Sequence, residues 1–110
     1  MKFVTPLYIG EQATQMKGTI IRGLKEGRAP FGSYVLALPL NDNDQLDILP
    51  AGMLSLPYFK DKTITIVGIA FGKSDAVKLV AYIVSEAIKQ IGKADILEFL
   101  KERQRKQDKA

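Results

Sequence analysis

The sequence predicts an α/β (α+β) domain, a small three-stranded sheet, mixed or antiparallel, layered with helices in the order α-β-β-(short α)-β-α-α. Three observations carry this reading. Apolar residues recur at spacings of three and four over residues 6–26 and again over 74–91, the period of a helix with one face inward. Residues 63–71 are β-branched and apolar on both faces, as in a strand covered from two sides. Between two short apolar runs lie Asn41, Asp42, Asn43 and Asp44, the residue types that turn a hairpin.

Taken in order, Ile9, Ala13, Met16, Ile20 and Leu24 line up on one side of a first helix over residues 6–26, with Glu11, Gln12, Gln15, Thr19, Arg22 and Glu26 elsewhere. Thr5 reads as its N-cap, Pro6 as its first residue and Gly27 as its left-handed stop. Gly10, Gly18 and Gly23 inside it each cost about 1 kcal/mol relative to alanine. Such a helix depends on tertiary packing, and one of these glycines is expected to mark a close backbone approach.

Residues 33–40 alternate Tyr34, Leu36, Leu38 and Leu40 with Val35, Ala37 and Pro39, a strand in which Pro39 belongs at an end or an edge. Residues 45–49 return as the second arm of the hairpin. One or two helical turns over residues 50–56 precede Pro57, and the strand over 63–71 is expected at the centre of the sheet. Ser74 then caps a helix that Gly92 closes, with Asp75 favourably sited at its positive end. That helix carries one stripe of Val77, Val80, Val84, Ile88 and Ile91 and a second of Ala76, Leu79, Ile83 and Ala87, so more than one surface must cover it. Asp95 caps a last helix bearing Ile96, Leu97, Phe99 and Leu100, and residues 101–110 are expected to be a frayed polar tail of a single domain spanning 1–110.

Composition excludes several classes. The chain has 110 residues, 46% hydrophobic and 25% charged, the profile of a globular protein with one core. It has no cysteine and no histidine, which removes disulfides, thiolate metal sites, structural zinc and every Ser-His or Cys-His nucleophile. No cofactor and no metal are expected. No apolar run reaches the ~20 residues that span a bilayer, and the N-terminal run is broken too early for a secretory signal, so a cytoplasmic, membrane-free protein is expected. The net charge of +4 is spread along the chain, with no dense basic block.

The string from Gly68 through Gly72, Lys73 and Ser74 sits where a nucleotide-binding phosphate loop would sit, between a strand and a helix. It has three residues between Gly68 and Gly72 where that loop needs four, and no second strand ends in an aspartate placed for magnesium. The plainer reading is that Gly72 relaxes the turn and Ser74 caps the helix. A weaker form remains open: the amides at this helix start, beside Lys73, could hold a simple anion. Asp42, Asp44 and Asp47 resemble a calcium loop, yet Leu46 and Met53 stand where oxygen ligands are needed, and a hairpin turn is the simpler account. Glu11, Glu26, Asp61 and Glu86 fall on polar faces and form no acid/base pair.

Residues 66–72, Ile-Val-Gly-Ile-Ala-Phe-Gly, followed by the helix, resemble a set of small, uncharacterised, single-domain bacterial proteins, over residues 46–92. That resemblance implies no activity. The residues themselves point to a non-catalytic binding or assembly module, self-associating as a homodimer through apolar helix faces at Leu79, Ile83, Phe99 and Leu100. The alternatives are a nucleic-acid surface at Arg22, Lys25 and Arg28, with Phe31, Tyr34 and the tail cations nearby, and an anion site at Gly72, Lys73 and Ser74.

Overall fold

In a computed structural model of the chain, residues 1–39, 46–60 and 62–109 are described, the last without its side chain. The fold is α+β, as the sequence predicts, but its sheet has four strands. The strands are β1 (Lys2–Ile9), β2 (Ser33–Ala37), β3 (Asp47–Pro50) and β4 (Thr65–Phe71). The helices are α1 (Lys17–Glu26), α2 (Pro57–Lys60), α3 (Lys73–Ile91) and α4 (Ile96–Lys109), with 3-10 turns at Glu11–Met16 and Ala51–Ser55.

β1 is the strand that periodicity missed, and it corrects the reading of residues 6–26 as one helix. Pro6 lies inside β1, the 3-10 turn follows, and α1 begins only at Lys17 after Met16, which makes no side-chain cap. The cause is tertiary. β4 is apolar on both faces and needs a partner along each edge; β2 fills one edge, and the aromatic and β-branched residues Phe3, Val4, Tyr8 and Ile9 fill the other. The strand order is β1-β4-β2-β3, with β1 parallel to β4 and the remaining pairs antiparallel. Lys2 N–H donates to Ile64 O and Gly10 N–H to Ile69 O, each at 2.8 Å, fixing both ends of the added strand.

β4 is interior, as expected, and it is irregular. Leu36 pairs with Gly68 while Ala37 pairs with Ile66, so Val67 is the extra residue of a bulge. The bulge sets Ile66 and Ile69 on one face and Val67 and Ala70 on the other. Two cores result. On one face Val35, Ala37, Ile66 and Ile69 meet Ala13, Ile20, Leu24 and Ala51. On the other, Leu36, Val67 and Ala70 meet Ala76, Leu79, Ile83, Ala87, Ile96, Phe99 and Leu100 of α3 and α4.

The helix ends follow the sequence in part. Gly27 and Gly92 both adopt the left-handed conformation, at φ 75°, and close α1 and α3. Asp95 caps α4, its Oδ1 accepting Glu98 N–H at 3.0 Å. Ser74 does not cap α3; Gly72 occupies that position and makes no side-chain bond. α4 extends through Lys109, so most of the segment expected as a frayed tail is helical. The turn at Asn41 to Asp44, including the calcium-loop candidates Asp42 and Asp44, lies outside the described residues, as does Asp61; the two arms of that hairpin pair as expected.

Candidate functional site

At the strand-to-helix junction, the amides of Phe71 and Gly72 are already engaged. Gly72 N–H donates to Gly32 O at 2.8 Å, and Phe71 N–H donates to Oδ2 of Asp75 at 3.0 Å. Asp75 is buried, so a carboxylate fills the turn that a phosphate would approach. Lys73 and Ser74 are exposed on the first turn of α3. Helix dipole and Lys73 favour an anion here, but the nearby buried negative charge opposes one.

Arg22, Lys25 and Arg28 are all exposed at the end of α1. Arg28 is paired with Glu26 at 2.9 Å, and the Lys25 ammonium sits 5.7 Å from the Phe3 ring. The tail cations belong to α4, on the opposite face of the sheet. There Arg103 donates to Pro6 O and stacks 4.4 Å from the Tyr8 ring, Arg105 pairs with Glu102, and Lys106 reaches Gln90 at 3.5 Å. The sheet therefore separates the two basic regions that the sequence joined. Of the aromatics near α1, Phe31 is fully exposed at the tip of a turn closed by Ser33 N–H on Pro30 O, whereas Tyr34 faces the α3 side.

Leu79, Ile83, Phe99 and Leu100 are buried by the chain's own sheet and helices, at 7%, 0%, 5% and 8% exposure. Their side chains are consumed in the core that joins α3, α4 and the sheet, which leaves them almost no area for a partner. The apolar area turned outward on α3 belongs to its other stripe. Val77 and Ile88 are half exposed, Ala81 is exposed, and Val80, Val84 and Ile91 are partly buried beside them. Tyr34, Leu38, Leu46 and Ile48, from β2, β3 and the chain beside them, are half-buried against the same core. On the opposite flank of α3, Tyr82 meets Tyr8 edge-on at 6.2 Å and approaches Glu86 with its hydroxyl at 3.4 Å.

A cleft of about 410 Å³ opens where β1 and β4 end, walled by Tyr8, Tyr82 and Leu79, with Glu11, Asp75 and Lys78 on its rim. Burial pushes the Tyr8 phenol above its ordinary value; Arg103 opposes this, while Tyr82 and Glu86 add to it. Glu11 and Asp75 share the cleft, but Asp75 is engaged by a backbone amide and serves the turn. Glu26 pairs with Arg28, and Glu86 lies beside the Tyr82 hydroxyl and lines a second cavity with Tyr8, Glu102 and Arg103. The described residues hold no group of three or more His, Cys, Asp or Glu side chains that could share a metal, and none of their helices is long and apolar enough to cross a membrane.

Comparison of the chain with protein-family models, with curated proteins and with solved structures found no match. Its functional reading therefore rests on its own surface. The outward stripe of α3 was visible in the sequence as the row of Val77, Val80, Val84, Ile88 and Ile91; burial alone decides which row faces out, and that depends on the missed strand and on α4.

Proposed function

We propose that this protein is a non-catalytic assembly module whose α3 stripe docks on the same stripe of a second copy. The observation that carries the reading is the symmetry of the stripe about Val84. Val80 and Ile88 lie four residues to either side of it, and Val77 and Ile91 seven residues to either side. A two-fold axis through Val84 brings the helices together antiparallel, setting Val77 against Ile91 and Val80 against Ile88. A surface that matches itself under rotation is what an isologous dimer requires.

The neighbouring residues support this arrangement. Ala81 and Ser85, one turn apart on the exposed flank of the stripe, are small, so a second helix can approach closely on that side. α3 is about 28 Å long, enough for several turns of contact. A stable interface buries about 800 Å² on each partner, more than one stripe supplies. The half-buried Tyr34, Leu38, Leu46 and Ile48 extend the apolar area for that purpose.

Sedimentation equilibrium tests the proposal. The wild-type chain is expected to dimerise, and Val77→Lys combined with Ile88→Lys to run as a monomer with an unchanged helical circular-dichroism spectrum. A wild-type chain that remains monomeric at every concentration overturns the reading.

A further inference from the structure

On the opposite face of the sheet from the α3 stripe, a cavity of about 350 Å³ lies between the end of α1, the Ala51–Ser55 turn and α2. We infer that this cavity binds a small organic anion, one acid group on a compact aliphatic or aromatic body. The inference does not depend on the proposed dimer.

The cavity is divided by chemistry. Leu24, Leu54, Phe59 and Ile64 give it an apolar floor, continuous with the core beneath α1. Arg28, whose guanidinium also pairs with Glu26 at 2.9 Å, stands on its rim with Lys60 and Lys62, and no described carboxylate lines it. Its volume is at the lower end of the range for small-molecule sites, which are mostly apolar with a few polar groups that set orientation. Lys60 and Lys62 above an apolar floor, with the ion-paired Arg28 beside them, suit a ligand with a negative head and an apolar body.

The walls are held in place. A Cβ on Gly23 would lie 2.6 Å from Ala29 Cα, so only glycine lets the chain fold back there and form one wall. The Ser55 hydroxyl donates to Gly27 O at 3.3 Å, tying the second wall to the end of α1. Carbonyls at a helix C-terminus would ordinarily repel an anion. Here Gly23 O accepts Arg28 N–H, Leu24 O accepts Gly27 N–H, and Gly27 O accepts Ser55, so each carries one hydrogen bond that offsets part of this repulsion.

Three eight-carbon probes, octanoate, octan-1-ol and octylammonium, separate the contributions of head and body. Calorimetric titration of the intact chain should give octanoate an affinity at least tenfold above that of octan-1-ol, with octylammonium weakest. Octanoate should also raise Tm. Arg28→Gln, Lys60→Gln and Lys62→Gln together should remove the preference for octanoate while leaving the affinity for octan-1-ol unchanged. Equal affinity for octanoate and octan-1-ol, or absence of octanoate binding, overturns the inference.

Discussion

Gly10 and Asp75 are mutually exclusive with any larger pairing: a Cβ built on Gly10 would lie 2.2 Å from Oδ2 of Asp75, the oxygen that accepts Phe71 N–H. Gly10→Ala must displace that buried carboxylate and break its bond, at a cost of about 2 kcal/mol or more. Gly18 in α1 is the matched control. Nothing lies within 4 Å of its Cβ position, so Gly18→Ala should stabilise the protein by about 0.5–1 kcal/mol through helix propensity. Urea unfolding of the two variants should move the midpoint in opposite directions.

Ser33 begins β2 buried, and its hydroxyl has no hydrogen-bond partner among the described residues. An unpaired buried hydroxyl loses its hydration without compensation. Ser33→Ala removes that cost and is expected to leave stability unchanged or raise it by up to about 1 kcal/mol. A loss of 2 kcal/mol or more in thermal or urea unfolding would show that the hydroxyl makes a bond in solution.

Alkaline titration should single out Tyr8. Its folded pKa is raised by burial above the ordinary value of about 10, so between these two values the unfolded chain has lost the proton and the folded chain retains it. The contribution of Tyr8 to stability is therefore complete below pH of about 10 and is lost as pH rises through the folded pKa. Tyr8→Phe should flatten that part of the stability curve. Arg103→Gln removes the cation that opposes the shift, and ultraviolet absorbance should then show Tyr8 ionising later still.

The two apolar rows of α3 should respond differently to truncation. Ile83→Ala, in the core with Phe99, should cost about 2–5 kcal/mol. Val77→Ala and Ile88→Ala, each at a half-exposed position, should cost well under 1.5 kcal/mol in a monomer unfolding assay. Equal losses in chemical denaturation would contradict this division of the helix.

Much of the fold was legible in residue spacing, and the exceptions have identifiable causes. The central strand, the hairpin, α3 and the caps at Gly27, Gly92 and Asp95 follow from local chemistry, and each was read from the residues that perform it. β1 was hidden because Thr5-Pro6 resembles a helix start and because Ile9, Ala13 and Met16 continue the period of α1. Strand formation there is decided by the unfilled edge of β4, which lies more than fifty residues away in sequence. Asp75 was read as a dipole partner; its bond to Phe71 spans four residues of the turn, and its fit against Gly10 requires that same strand. The Arg28, Lys60 and Lys62 rim was equally out of reach, since it joins residues more than thirty positions apart.

The outer side of β1 is poorly suited to recruit another strand. Its pairing with β4 breaks register between Phe3 and Tyr8, Pro6 has no N–H to offer, and the guanidinium of Arg103 occupies the Pro6 carbonyl. Backbone-to-backbone growth of the sheet is thereby discouraged at this margin, leaving β3 as the terminal strand on the other side. The last helix thus meets this margin of the sheet at one acceptor, through Arg103.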